Sequence, residues 1–301
     1  MVAPARDKHR AMINRPRRSV LYMPASNARA IEKARTLPCD AIILDLEDAV
    51  APEAKPQARE QAAAAIAGGG FGGRETIIRC NGLDTPWGAE DLAAAAHAGP
   101  DAILVPKVNG PEDIATYDAA IAAAPLKTAL WAMIETPAAV FALDAIGRSA
   151  RTSRLSLFVI GLNDLAKAMG GRQTPDRAPH VPILSLAVAA ARAHGLSILD
   201  SVTNAIDDQP LLEAHCRQAA DIGFDGKSLI HPNQIETANR LFSPDVAEVA
   251  WARAVIAAYA LPENAGKGAL QIDGRLAERL HLDQAERLIA IDAGIQGLAN
   301  A

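Results

Sequence analysis

Eight short apolar runs recur along the chain, at residues 19–23, 41–46, 76–78, 102–105, 129–134, 155–160, 196–199 and 224–230. Helix-like stretches separate them, and most of the runs end in a polar or charged residue. Strand and helix in strict alternation imply a parallel sheet with helices outside it. Each right-handed crossover returns the chain to the same end of the sheet, and eight repeats favour closure. The expected fold class is therefore α/β, a TIM (β/α)8 barrel with a C-terminal helical extension acting as a lid. The 301 residues suffice for a barrel of about 250 plus that extension. In such a barrel the chemistry sits at the C-terminal mouth. Asp45, Glu47, Arg79, Lys107, Glu135, Asp164, Asp200, Lys227 and His231 stand at or just beyond the strand ends.

The pattern divides the chain into an N-terminal arm at 1–16, expected to be mobile, a barrel at 17–242 and an extension at 243–301. Prolines, glycines and charges over 170–182 read as a long loop across the mouth. In the extension, 244–260 reads as a helix, 269–272 as a short run ending at an Asp273-Gly274 turn, and 276–291 as a last helix. The net charge of −5 carries no basic stripe, which argues against a nucleic-acid partner. Apolar runs of strand length leave nothing to span a membrane. Cys39, Cys80 and Cys216 are scattered and odd in number, as expected for a reducing, cytoplasmic setting. Gly68, Gly70 and Gly73 match GxGxxG, but a helix precedes them and a strand follows. A dinucleotide site needs the reverse order, so they read as a turn.

Glu135 ends the fifth run and Asp164 follows the sixth, so barrel closure sets them side by side. Two carboxylates with no His or Cys nearby suit a hard cation such as Mg²⁺, with Mn²⁺ as the alternative. Equally, each could cap the helix that follows it. Alternation turns Arg79 toward the mouth. Its planar fork suits a carboxylate or enolate oxygen, or an internal salt bridge to Asp45 or Glu47. Asp45, Glu47 and Asp48 crowd the second strand end, where they orient Arg79, reach metal-linked waters, or both. Lys107 and Lys227 add positive charge to the rim, and His231-Pro232 reads as a turn anchor.

Arg18-Ser19-Val20-Leu21-Tyr22-Met23-Pro24, Leu44-Asp45-Leu46-Glu47-Asp48-Ala49-Val50 and Arg79-Cys80-Asn81-Gly82 are followed by Val105-Pro106-Lys107, Ile134-Glu135-Thr136-Pro137 and Gly226-Lys227-Ser228-Leu229-Ile230-His231-Pro232. In this order the motifs resemble the citrate lyase beta subunit-like family of the HpcH/HpaI aldolase superfamily, over roughly residues 17–289. The resemblance implies a carbon–carbon lyase acting on acyl-CoA or acyl-carrier thioesters such as malyl-CoA, citramalyl-CoA or citryl thioesters. It implies Mg²⁺ held at Glu135 and Asp164 and Arg79 as a catalytic and substrate-binding residue; beside it, Asp45, Glu47 and Lys107 read as supports for substrate binding, with Lys107 ion-paired to these acids as the alternative. It further implies an acyl-CoA substrate, a 2-keto acid product, and a homotrimer or homohexamer in which the extension covers a neighbour's site.

Where the family usually carries a catalytic aspartate in that extension, this chain has Glu278. The carboxylate is kept but moved about one methylene outward, a shift that matters where geometry is tight. The alternative readings are a citrate lyase beta subunit working on a citryl-acyl-carrier protein, and a barrel that binds a CoA ester or keto acid without turnover.

Overall fold

The computed structural model describes residues 15–299. The expected arm at 1–16 falls almost wholly outside them. The described chain divides into two compact units, one of them Arg17–Phe242 and the other beginning at Ser243.

The first unit runs β1 (Ser19–Pro24), α1 (Ala28–Ala34), β2 (Ala41–Asp45), α2 (Lys55–Gly68), β3 (Glu75–Arg79), α3 (Gly88–Ala98), β4 (Ala102–Val105), α4 (Pro111–Ala120), β5 (Ala129–Ile134), α5 (Pro137–Phe141), α6 (Leu143–Arg148), β6 (Leu155–Ile160), α7 (Leu162–Ala168), α8 (Val181–Ala193), β7 (Ser197–Asp200), α9 (Gln209–Ile222), β8 (Gly226–Leu229) and α10 (Ile235–Leu241). The eight strands close into a barrel in sequence order, all pairs parallel. Alternate residues face opposite ways. Ile42, Leu44, Ile78 and Cys80 join the core beneath the helices, which leaves Ile43, Asp45, Ile77 and Arg79 for the interior. That cluster also takes in Ala58, Ala62, Ala95 and Ala191 from the helices. Small side chains there let the helices lie close on the sheet.

The end opposite the mouth is plugged. Arg17 donates to both carboxylate oxygens of Glu75, at 2.6 and 2.8 Å. Its guanidinium lies 5.4 Å from the centre of the Trp131 ring. The barrel is a packed core open at its mouth rather than a pore.

Local differences from the sequence reading have simple causes. The stretch at 138–145 is two helices, because Ala142 (φ −106°, ψ 7°) departs from helical geometry. Asp164 lies within the first turn of α7 rather than capping it from outside, and Thr136, not Glu135, caps α5 through the Ala139 N–H. Lys227 is not on the rim. It is the second residue of β8, in register with Asp200, and is fully buried. His231 does anchor a turn, its Nδ1 accepting the Asn233 N–H at 3.2 Å. Gly69, Gly70 and Gly72, all at positive φ, form the turn between α2 and β3.

The second unit holds α11 (Val246–Ala260), an antiparallel pair β9 (Ala269–Ile272) and β10 (Arg275–Glu278), and α12 (Arg279–Ala299). Asp245 and Glu248 form a capping box on α11. Asp273 and Gly274 both take positive φ, the two-residue turn of a tight hairpin. This corrects the helix expected from 276. The hairpin draws residues 275–278 back along β9, so helix begins only at Arg279. Ala252, Val255, Ile272, Ala277 and Ala285 make this unit's own core. Among the described residues no helix is long and apolar enough to cross a membrane.

Candidate active site

Register places the first pair. Asp45 and Arg79 are direct neighbours across β2 and β3. Arg79 donates from Nε to Asp45 Oδ1 and from Nη2 to Oδ2, each at 2.6 Å. The Asp45 carboxylate also accepts the N–H groups of Glu47 and Ala49, so it braces the loop as well as the guanidinium. Arg79 Nη1 lies 2.7 Å from Glu47 Oε2, a close ion pair without hydrogen-bond alignment, and 3.4 Å from Asp48. Burial pushes the Glu47 carboxyl up to about 8, with Arg79 opposing that rise. Beneath the loop, buried Lys55 donates to the carbonyls of Leu46 and Glu47 and to Asn81 Oδ1, at 2.8–2.9 Å. Asn81 in turn donates to Leu46 O and to Asp91.

The second pair faces the same opening. Glu135 is 2% exposed, and its Oε1 accepts the Lys107 N–H at 2.7 Å. Lys107 takes φ 51° to present that N–H, a left-handed conformation that carries strain for a non-glycine residue. Among the described residues no donor reaches Glu135 Oε2. Burial, reinforced by Asp164, pushes the Glu135 carboxyl up to about 7. Asp164, Glu135 and Arg79 line one pocket of about 290 Å³, along with Asp45, Asp48 and Tyr22.

Gly161 fits this corner because a Cβ there would strike Glu135 Oε2 and Cβ. Gly161→Ala is therefore expected to cost about 1–3 kcal/mol in urea unfolding, as overpacking does. The displaced carboxylate is also expected to weaken Mg²⁺ binding.

Asp45, Glu47, Asp48, Glu135 and Asp164 gather around Arg79 and Lys107, and Lys107 is 52% exposed with its Nζ 3.8 Å from Glu47. Burial and the neighbouring acids outweigh Arg79, which draws the Glu135 carboxyl down. Among the described residues no group of three or more His, Cys, Asp or Glu is arranged to hold a metal. Mg²⁺ takes one or two carboxylates and completes its shell with water and substrate oxygens. Glu135 and Asp164 fit that requirement.

Two amides line the same pocket. Asn163 and Asn204 exchange hydrogen bonds at 3.1 and 2.9 Å, and Gln173 donates to Asn163 at 2.9 Å. Gln173 belongs to the long loop before α8. Arg177 ties that loop down, donating to both oxygens of Asp200 at 2.8 Å, and Lys227 donates to the same carboxylate at 2.7 Å. Burial works against the Asp200 charge, but Lys227 and Arg177 outweigh it and hold the carboxyl low. His215 accepts from Thr203 at Nδ1 and donates from Nε2 to Pro175 O, each at 2.9 Å.

The barrel thus brings Arg79, Asp45, Glu135 and Asp164 onto one pocket. Glu47 and Lys107 stand behind it, Glu47 against Arg79 and Lys107 through its backbone to Glu135. Glu278 ends β10 in the second unit and is exposed. Sequence reasoning passed over Lys55, Asn81, Tyr22 and the Asn163–Asn204 pair. Of these only Tyr22 carried a usable signal, since it shares the inward phase of β1 with Val20. The others depend on contacts between distant loops.

A closed parallel barrel that gathers charged side chains at its C-terminal mouth is the architecture of a barrel enzyme, whose chemistry sits at that mouth. The chain belongs to the HpcH/HpaI aldolase/citrate lyase family, whose model matches residues 18–232. It is 46% identical over 275 residues to a (3S)-malyl-CoA thioesterase of Cereibacter sphaeroides, covering 91% of this chain and 94% of the relative. It is 31% identical to the citrate lyase beta subunit of Escherichia coli, covering 94% and 95%. Among solved structures it resembles the protein CitE from Mycobacterium tuberculosis in complex with magnesium, acetoacetate and coenzyme A. That match has TM-score 0.71, 27% identity and coverage of 92% and 98%. The same organism's citrate lyase beta subunit with oxaloacetate and magnesium matches with TM-score 0.65 and 27% identity, covering 77% and 99%.

Proposed function

We propose that this enzyme uses Mg²⁺ to cleave the C–C bond of a 3-hydroxyacyl-CoA thioester of the malyl-CoA class, giving a 2-keto acid and acetyl-CoA. The observation that carries the reading is the single pocket in which Glu135 and Asp164 face Arg79. Glu135 and Asp164 would hold the cation. When bound, Mg²⁺ supplies Lewis-acid polarisation of the substrate oxygen that becomes the keto oxygen.

The chain's own groups account for the rest. Arg79, locked by Asp45, presents a fixed cation where the thioester oxygen gains charge as the acetyl enolate departs. The amides of Asn163 and Asn204 supply neutral donors that leave the charge balance untouched. Glu278, brought to the site by a neighbouring copy of the chain, takes the hydroxyl proton, and a proton returned to the enolate carbon completes acetyl-CoA. In the trimer or hexamer this requires, the second unit serves as a lid. The three free, buried cysteines support a reducing, cytoplasmic setting.

A second reading is hydrolysis of the same thioester, in which water adds to the carbonyl and CoA leaves as thiol. It is favoured by the 46% identity to the malyl-CoA thioesterase and by Glu278, whose longer side chain alters the acid/base geometry.

The assay supplies (3S)-malyl-CoA with Mg²⁺ and follows keto acid and free thiol together. C–C cleavage releases glyoxylate without thiol. Hydrolysis releases thiol and malate without glyoxylate. Release of neither product, from malyl-CoA or citramalyl-CoA, rejects both readings.

A further inference from the structure

One polar group in the mouth is unaccounted for by the acids, the arginine or the amides. The Tyr22 ring lies under Arg79, with the guanidinium carbon 4.8 Å from the ring centre. Its hydroxyl reaches the Met133 thioether at 3.6 Å. Sulfur is a weak acceptor, and the hydroxyl of half-buried Tyr22 has no oxygen partner among the described residues. Asp45, Glu135 and Asp164 line the same pocket, yet among the described residues none of them accepts from Tyr22. Burial pushes the phenol pKa up, so the O–H stays a donor throughout the neutral range. Tyr22 and Met133 both line the pocket. The hydroxyl therefore stands at the pocket wall, held among the described residues by a single weak bond that a ligand oxygen readily replaces.

We propose that Tyr22 is a specificity-determining residue whose hydroxyl donates to an oxygen of the substrate's small-acid half, seated between Arg79 and the Glu135–Asp164 pair. The substrate class rests on the malyl-CoA reading. An O–H donor to an anionic oxygen makes a short, strong bond, whereas an acid lacking that oxygen meets only a thioether and an aromatic edge. Tyr22 thus selects the oxygen-bearing acid, while Arg79 handles the charge that develops at the thioester.

Tyr22→Phe keeps the ring under Arg79 and removes only the donor. The test titrates glyoxylate into the Mg²⁺-loaded wild type and variant by calorimetry, beside an ultraviolet difference spectrum and a thermal melt. The expected result is about 10- to 100-fold weaker binding in the variant. The wild type shows a tyrosine difference signal that the variant lacks, and the two melting temperatures agree. Equal binding by the two proteins overturns the proposal, as does absence of binding to the wild type. A wild type that binds glyoxylate but turns over no malyl-CoA rejects the proposed function, while the comparison of the two proteins still decides the role of Tyr22.

Discussion

Replacing Arg79 with lysine lowers kcat/KM for (3S)-malyl-CoA by about 100- to 1000-fold, the usual effect of losing one preorganised donor to a developing oxyanion. The charge is retained, so the loss measures geometry. Arg79 uses Nε and Nη2 on Asp45 and turns Nη1 toward Glu47 and Asp48. A guanidinium satisfies Asp45 with two parallel bonds and still has a third nitrogen to present; an ammonium is a point charge that does neither at once. The fall should lie mainly in kcat, because the interaction strengthens as the enolate forms. Asp45→Asn is the companion variant. It leaves the Arg79 charge but weakens its tether, and a smaller fall in the same direction is expected. If Arg79→Lys retains most of the wild-type rate, Arg79 is a structural ion pair and the proposed role fails.

The barrel was legible because the alternation of strand and helix is local to each stretch of chain, and eight repeats of it favour closure of the first strand on the eighth. Apolar runs feeding into charged residues mark both strand ends and inward phase, and this placed Arg79, Glu135 and Asp164 at one mouth. Lys227 shows where that logic stops. Nothing local distinguishes a lysine on a rim from one buried against Asp200, because the partner lies 27 residues away in sequence and Arg177 arrives from a loop. The hairpin at Glu278 was misread for a related reason. A short segment rich in Leu and Ala after Asp273-Gly274 has helical composition, but the tight turn commits it to pairing with β9. Lys55 was invisible because its work is done on the carbonyls of Leu46 and Glu47, which no side-chain pattern reports.

Glu135→Gln is expected to abolish the Mg²⁺-induced rise in melting temperature while making the metal-free protein more stable at pH 8. The two effects have one cause. Burial, with Asp164 adding to it, raises the Glu135 carboxyl to about 7, against about 4.3 in an unfolded chain. The folded protein therefore binds more protons than the unfolded one between those values. Stability from this group is fully present below about pH 4.3 and is lost as pH rises through 7, a change on the order of 3 kcal/mol. Glutamine is neutral at every pH and keeps an oxygen for the Lys107 N–H, so the variant escapes that loss. It also cannot offer the carboxylate that the cation requires. In the wild type, Mg²⁺ must displace the proton, so its affinity falls about tenfold for each pH unit below 7. Thermal melts at pH 5.5 and pH 8, with and without Mg²⁺, read both effects at once. A variant no more stable than wild type in metal-free buffer at pH 8 removes the raised carboxyl, and one that still responds to Mg²⁺ removes Glu135 from the metal site. The cation would then have to be sought among Asp45, Asp48 and Asp164.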